Sequence, residues 1–238
     1  MREVTQGIYQ VEGLRASAVY ALAVDGGVAL IDTCMPGSEA RIEVQLRAAG
    51  YSLIDLRAIM LTHAHFDHTG SAAALAARSG AEVLAHRGDV PYIEGAAPLP
   101  YPSWFQRASM GLAEGLLGDA IHCQVTRTLE DGEVLEELGG LEVLHVAGHT
   151  PGSICLYQPE QQALFSGDLL VHAQRFSAYA AVRFSIPQFS VDPEEARRSA
   201  RRLLELPIEV LCCGHGEPVV GGARDRLHEL LDPVHDGS

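Results

Sequence analysis

Short apolar runs alternate with amphipathic stretches along this chain, and glycine-containing turns separate many of them. In the first third, the pattern predicts three strands, at residues 8–11, 19–24 and 28–32, and a turn at Asp25-Gly26-Gly27. Helices are predicted over 39–49, with Ser38 as N-cap, and over 71–79, each followed by a glycine, and a strand follows at 82–86. Two more helices are predicted, over 193–206 and 222–231. These elements indicate strands and helices arranged in layers around an apolar core.

Four of the apolar runs end in residues that bind metal ions. Ala58-Ile59-Met60-Leu61 leads to the cluster His63-Ala64-His65-Phe66-Asp67-His68. In the other three, a glycine precedes the ligand: residues 141–146 lead to Gly148-His149, residues 163–166 to Gly167-Asp168, and residues 208–213 to Gly214-His215. Because strands bury their middles and loops carry chemistry, we expect these strand ends to converge at one edge of a layered sheet structure.

The number of ligands decides how many ions to expect. The seven candidates are His63, His65, Asp67, His68, His149, Asp168 and His215. Seven exceed the shell of about four that one zinc ion prefers. They divide into two sets of three with one shared carboxylate, whose two oxygen atoms can bridge. The sequence therefore predicts two ions, and spacing leaves open which ligand serves which ion.

The same motifs resemble those of the metallo-β-lactamase-fold hydrolases, in the right order and over nearly the whole chain. They are the cluster at 63–68, Gly148-His149-Thr150-Pro151-Gly152-Ser153, Ser166-Gly167-Asp168 and Gly214-His215-Gly216, and Ile31-Asp32-Thr33 resembles an early aspartate of the family. The resemblance, to the glyoxalase II and lactonase-like branch, implies a mixed α/β fold: a four-layer αβ/βα sandwich with the metals at one rim. It places His63, His65 and His149 on one ion and Asp67, His68 and His215 on the other. Asp168 would bridge them, and Asp32 would orient a ligand histidine.

Such a centre predicts a hydrolase. Two ions about 3.5 to 4 Å apart can hold a bridging hydroxide, because they lower the pKa of bound water towards roughly 7. This hydroxide would attack a small ester-like substrate; we expect a lactone or a thioester, with a phosphodiester as a further candidate. The expected cofactors are two divalent metal ions, zinc by default, and iron or manganese would also suit these ligands.

The candidate catalytic residues are Asp67, Asp168 and His172. His172 follows Asp168 by four residues and could contact the substrate or donate a proton to the leaving group. Tyr179 and Arg183 are further candidates for the same role.

Other enzyme classes share the fold. One such class is the persulfide dioxygenases, and resemblance to them implies an iron oxygenase that uses only the positions of His63, His149 and Asp168. The full ligand set does not exclude this alternative. β-Lactamases of this fold usually lack a bridging aspartate, so Asp168 argues against antibiotic hydrolysis. RNA-processing members need a basic surface. Glyoxalase II enzymes carry a C-terminal helical extension for glutathione, whereas 23 residues follow His215, which argues for a smaller thioester or a lactone.

Composition narrows the partners and the compartment. The formal net charge of −14 at pH 7 argues against nucleic acid, because phosphate backbones are bound by clustered Lys and Arg. The 238 residues show no linker-like tract, so we expect one domain over 1–238 that acts on a small molecule. Five scattered cysteines predict no disulfide framework. Without an apolar leader or a bilayer-length apolar stretch, we expect a cytoplasmic protein with no membrane partner.

One segment, at about residues 87–123, departs from the regular alternation. It contains Pro98-Leu99-Pro100-Tyr101-Pro102-Ser103-Trp104-Phe105 and then an amphipathic stretch over 108–117. It could fold over the metals as a lid and line the pocket with Tyr101, Trp104 and Phe105. Alternatively, it could pack on the sandwich or on a second subunit of a homodimer.

The histidines expected to be ordinary surface or core residues are His86, His122, His145, His228 and His235.

Overall fold

A seven-stranded sheet is built from the first half of the chain. The computed structural model describes residues 1–173 and 181–231, so the predictions for Tyr179 and His235 lie outside the described residues. The strands of this sheet follow chain order: β1 (Arg2–Thr5), β2 (Ile8–Gln10), β3 (Tyr20–Val24), β4 (Gly27–Ile31), β5 (Leu56–Leu61), β6 (Glu82–His86) and β7 (Arg127–Leu129). Neighbours from β1 to β4 are antiparallel, and neighbours from β4 to β7 are parallel.

A second sheet of six strands packs against the first. From one edge to the other it contains β15 (Val219–Val220), β14 (Val210–Cys213), β11 (Ala163–Gly167), β10 (Ile154–Gln158), β9 (Leu141–His145) and β8 (Val134–Leu135). The pair β11 and β14 is parallel, and the other pairs are antiparallel. A separate hairpin pairs β12 (Leu170–Ala173) with β13 (Ala181–Phe184).

Helices cover the outer face of each sheet. On the first sheet, α1 (Glu39–Ala48) and α3 (Ala72–Ser79) contribute Ile42 and Leu75 to an apolar cluster. On the second, α6 (Pro193–Ala200) and α7 (Ala223–Leu231) contribute to another. The remaining helices, α2 (Phe66–Thr69), α4 (Val90–Ile93) and α5 (Trp104–Leu117), lie in connections. Within the described ranges, no helix is both long enough and apolar enough to cross a membrane.

Strand β5 shows why the chain adopts this layered order. Ala58 and Met60 point into the core between the sheets, whereas Ile59 and Leu61 point into the cluster beneath α1 and α3. Successive side chains of a strand face opposite sides, so a strand covered on both faces needs a continuous apolar run. Helix, sheet, sheet and helix follow one another through the molecule, which confirms the predicted four-layer αβ/βα sandwich.

The prediction of one helix over 193–206 is wrong in its second half. Helix α6 ends at Ala200, and a 3₁₀ turn occupies Arg201–Glu205. Leu206 is extended because it precedes Pro207, whose ring disfavours helical backbone at the residue before it. Ser38 stands at the N-cap of α1, as predicted, but its side chain makes no capping hydrogen bond. All five cysteines are buried and free, in agreement with the absence of a predicted disulfide framework.

Candidate metal centre

The seven predicted ligands lie together at one rim of the two sheets. The parallel strands β11 and β14 end side by side and bring Asp168 and His215 next to each other. Helix α2 begins directly after His65, so its single turn carries Asp67 and His68. The short motif at 63–68 therefore divides its ligands between the turn and the chain before it.

Three imidazole nitrogen atoms form a first ligand group. Nε2 of His63 lies 3.1 Å from Nδ1 of His65, and Nε2 of His149 lies 3.0 Å from the same atom. A zinc ion with bonds of about 2.0–2.1 Å in a tetrahedral shell would separate such nitrogen atoms by roughly 3.3 Å. All three side chains are buried, so this group fits one enclosed ion.

Asp67, His68 and His215 form a second group. Oδ2 of Asp67 lies 3.9 Å from Nε2 of His68 and 3.5 Å from Nε2 of His215. His68 is fully buried, whereas the side chains of Asp67 and His215 are 23% and 31% exposed. The second group is therefore the accessible part of the centre, and the first group lies deeper.

The carboxylate of Asp168 lies between the two groups. Its Oδ1 is 3.3 Å from Nε2 of His68, and its Oδ2 is 3.1 Å from Nε2 of His215 and 3.7 Å from Nε2 of His149. Among the described residues, Nε2 of His68 and Oδ1 of Asp168 are buried, and although they face each other at 3.3 Å neither makes a well-aligned hydrogen bond. Because buried polar atoms without partners are costly, this donor set fits metal ions that would satisfy both atoms.

Burial keeps the histidines of the first group neutral. It lowers the pKa of His65 to about 4. Burial, together with neighbouring histidines, also lowers the pKa values of His63 and His149 well below their usual value. Neutral imidazole is the form that binds metal ions, so these three side chains are ready to act as ligands.

Charge pairing outweighs burial around Asp168. Burial would lower the pKa values of His68 and His215, but Asp168 and the neighbouring carboxylates raise both. Burial would raise the pKa of Asp168, but His68 and His215 hold it well below its usual value. The Asp168 carboxylate is therefore ionised, and binding of metal ions would release the protons that its histidine partners carry.

Each ligand histidine contacts the protein through its second ring nitrogen. The partners are the Thr62 hydroxyl for His63 (2.9 Å), the Tyr101 hydroxyl for His65 (2.6 Å), the Asp32 carboxylate for His68 (2.8 Å), the Ser190 hydroxyl for His149 (3.1 Å) and the Ala16 carbonyl for His215 (3.2 Å). Such contacts fix the orientation and the tautomer of a ligand ring. The rings are therefore held in place by the protein itself.

Asp32 connects the ends of β4 and β5 beneath the centre. Its Oδ1 accepts a hydrogen bond from the Thr62 backbone N–H at 2.9 Å, and its Oδ2 accepts one from the Thr62 hydroxyl at 2.8 Å. A hydroxyl that donates to Asp32 can accept from Nδ1–H of His63, and Nδ1–H of His68 donates to Asp32 directly. One carboxylate thus positions a histidine of each ligand group, and its contact with His68 matches the expected orienting role.

Asp89 is a buried carboxylate that the sequence interpretation missed. It accepts hydrogen bonds from the Thr150 hydroxyl at 2.5 Å and from the Gly152 backbone N–H at 2.6 Å, next to His149. The Ala64 backbone N–H, between His63 and His65, also donates to it, and burial raises its pKa to about 6. Gly152 permits this approach, because a Cβ there would lie 2.3 Å from the backbone nitrogen of Asp89. In the sequence, Gly88-Asp89 follows the strand β6 in the same way that Gly167-Asp168 ends β11. This shared pattern could have identified Asp89 as a residue near the centre.

Of the aromatic residues expected to line the pocket, only Tyr101 contacts a predicted ligand in the described structure. Tyr101 is buried against His65, whereas Trp104 and Phe105 are largely exposed. His172 lies on β12; its backbone N–H donates to the His215 carbonyl at 3.0 Å, and its Nδ1 lies 2.7 Å from the Glu217 carbonyl. Its catalytic role, like that of Arg183 on β13, stays a prediction.

Four of the histidines not expected to be ligands lie in the described part of the chain and outside the ligand groups. The rings of His86 and His145 stack on each other with centroids 3.9 Å apart. His122 lies beside Gly95, and His228 lies on α7. Their role as ordinary surface or core residues stays a prediction.

Known proteins are similar to this chain over the region that contains the candidate metal centre. The family model of the metallo-beta-lactamase superfamily matches residues 13–215, a range that includes all seven ligand positions. The probable metallo-hydrolase YflN of Bacillus subtilis is 30% identical over 219 residues, which are 85% of this chain and 81% of that protein. The hydroxyacylglutathione hydrolase GloC of Haemophilus influenzae is 32% identical over 208 residues, 86% and 87% of the two chains. The crystal structure of TTHA1623 in a di-iron-bound form matches with a TM-score of 0.65 and 31% identity, over 92% of this chain and 96% of that one.

We predict that Tyr101→Phe weakens metal binding by about 10- to 100-fold, the usual effect of losing a hydrogen bond to a ligand histidine. The ring would stay buried, but Nε2 of His65 would lose its partner. Isothermal titration of metal-free protein measures the affinity. Tyr157→Phe is the matched control, because Tyr157 bonds the Pro207 carbonyl away from the centre. Equal affinities in all three proteins would contradict the prediction.

We predict that Asp89→Ala lowers the free energy of unfolding by about 3 kcal/mol, because it leaves several buried donors without an acceptor. Urea denaturation of the metal-free protein measures this change. Asp119→Ala removes an exposed carboxylate and should leave the unfolding free energy within about 0.5 kcal/mol of the parent. A loss no larger than that of the control would show that the Asp89 contacts contribute little.

Proposed function

This chain belongs to the metallo-beta-lactamase superfamily and is a metal-dependent hydrolase, and we propose that it uses two ions to hydrolyse a small thioester or lactone. The position of Asp168 between two ligand groups is the observation that carries the proposal. Each group has three side chains of its own in the described residues, which supports one ion in each group.

The proposed ligands of the first ion are His63, His65 and His149, and those of the second are Asp67, His68 and His215, with Asp168 shared. When bound, two divalent ions would supply a water of lowered pKa and polarise the carbonyl oxygen of the substrate. We propose zinc as the resident ion. The di-iron form of the similar protein TTHA1623 makes iron the alternative.

The substrate would approach from the side of Asp67 and His215, the exposed members of the centre. The Ala16 carbonyl bonds Nδ1 of His215, and the Ser17 hydroxyl donates to the Asp67 carbonyl, so both exposed ligands are held from behind by the same short segment.

The chain's own residues then have distinct tasks. The ionised Asp168 carboxylate holds the two ligand groups together and can take up a proton during the reaction. Asp67 is the least buried carboxylate of the centre, where it can contact the substrate. His172, braced against the His215 loop, is the proposed donor of a proton to the leaving group.

Two observations support an ester-like substrate. The similarity to GloC, whose name describes a thioester hydrolase, extends over 86% of this chain. The net charge of −14 disfavours nucleic acid substrates.

We propose that the protein acts in the cytoplasm, since all five of its cysteines are free.

A panel of substrates tests the proposed reaction. With zinc- or iron-loaded protein, we expect turnover of a small acyl thioester or a lactone and little turnover of a β-lactam or a phosphodiester, measured as kcat/KM. Oxygen consumption in a separate assay with a persulfide, together with one iron per chain, would replace the hydrolase with a dioxygenase. Highest activity on a β-lactam would refute the proposed substrate class.

We predict that Asp168→Ala lowers the metal content below two ions per chain. We also expect it to reduce turnover by more than the roughly 10- to 100-fold that is typical of losing a residue that only hydrogen-bonds a metal ligand. The variant loses the carboxylate that both groups share. Elemental analysis and kcat/KM measure the two effects. Asp225→Ala, on the exposed side of α7, is the control. Retention of both ions and full turnover would refute the proposed centre.

A further inference from the structure

Helix α5 lies apart from the core of the fold. Its 14 residues begin after a capping box in which Ser103 and Gln106 bond each other's backbone N–H groups. The Gln106 side chain also donates to the Gln188 carbonyl at 3.0 Å. No residue of the helix is buried. The side towards the protein is only half-buried, and its residues are Gln106, Met110, Ala113, Glu114 and Leu117.

The outward face of α5 is apolar. We define this face by helical spacing as Trp104, Phe105, Ala108, Ser109, Gly111, Leu112, Gly115 and Leu116. It carries no charge, and the two charged residues of the helix, Arg107 and Glu114, lie on its other side. Surface helices normally place their apolar side inward and their charges in water. Helix α5 has apolar residues on its inward side as well, namely Met110, Ala113 and Leu117, so its outward face is a second apolar face. An uncharged apolar face left in water is typical of a surface that another molecule covers.

The four large side chains of this face are strongly exposed. Trp104, Phe105, Leu112 and Leu116 expose 73, 66, 67 and 80% of their surface. Together this is roughly 500 Å² of apolar surface, at the upper end of what a monomer normally exposes in one patch.

Two glycines on the same face have no explanation within the described chain. Gly111 and Gly115 lie inside the helix, where glycine is a poor choice compared with alanine. A Cβ added at either position would meet no atom within 4 Å. Small side chains on a helix surface allow a second helix to approach closely, because the distance between packed helices depends on the side chains at the contact. A flexible ligand or a lipid surface has no such need for glycine.

We propose that the outward face of α5 forms a homodimer interface, in which it packs against α5 of a second copy of this chain. An antiparallel pair around a two-fold axis brings the aromatic end of each helix against the Leu112 and Leu116 end of the other. Pairing two such faces buries on the order of 1,000 Å², the lower limit for a specific interface. The proposal does not depend on the proposed hydrolase activity.

The charge pattern of α5 disfavours a membrane as the partner of this face. Two chains of formal charge −14 repel each other, and the outward face of α5 is a contact surface that adds no carboxylate to this repulsion. Helices that lie on membranes usually combine an apolar face with several Lys or Arg residues. Helix α5 has one arginine, and Nη1 of that residue, Arg107, donates to the Tyr101 carbonyl at 2.6 Å.

Sedimentation velocity of the full chain over a range of concentrations is the first test. We expect a dimer whose dissociation constant rises at least tenfold in Leu112→Glu and in Leu116→Glu. Ile54→Glu places the same charge on an exposed apolar residue outside α5 and should change the constant less than twofold. Circular dichroism checks that each variant is folded; the mutated positions are exposed, so the monomer should stay intact.

Substitution of the two glycines is a second test, because an unpartnered helix and a closely packed pair predict opposite results. On an unpartnered helix, Gly111→Ala and Gly115→Ala would raise the thermal midpoint and leave assembly unchanged. In a closely packed pair, each added methyl group pushes the helices apart, so we expect both to weaken the dimer. Trp104 is the only tryptophan of the chain, so its emission should shift to shorter wavelength as the dimer forms.

Three results would overturn the proposal. They are a monomer at every concentration, a dimer that Leu112→Glu and Leu116→Glu leave intact, and a dimer that the alanine variants do not weaken. Binding of the monomeric protein to phosphatidylcholine vesicles would assign the face to a lipid surface instead.

Discussion

The burial of four histidines and Asp168 at one rim, beside the partly exposed Asp67 and His215, is the constraint on which the rest of this structure depends. Imidazole nitrogens and carboxylate oxygens withdrawn from water need partners, and a partly satisfied polar cluster is worse than an apolar core. The chain meets this requirement by giving each ligand histidine a protein partner on its second nitrogen, through residues as different as Thr62, Tyr101 and Asp32. The nitrogens left without such partners face one another.

The sequence predicts the four layers and the convergence of the ligands because both follow from local pattern. Strand β5 has an apolar residue on each face, and helices α1 and α3 end next to the glycines that were expected to stop them. The division of the ligands into two groups could be taken only from the resemblance to a family, since spacing does not show which atoms meet in space.

The protein partners of the ligands could not be predicted, because they come from distant segments with no pattern of their own. Ser190 follows a short 3₁₀ turn, and Ala16 uses a backbone carbonyl that every residue possesses. Asp89 is different, since it repeats the strand, glycine and acid pattern of Asp168. Only the structure shows that Asp89 ties together the loops of the first ligand group, whereas Asp168 joins the two groups.

The contact between His215 and the Ala16 carbonyl joins positions 199 residues apart. Nearby, the Tyr20 hydroxyl donates to the Cys213 carbonyl and the Ala18 backbone N–H donates to the Gly214 carbonyl. Contacts of such long range form only after the intervening chain has collapsed, because closing a long loop costs entropy before any contact repays it. We therefore expect the centre to be completed late in folding, when the first and last thirds of the chain meet.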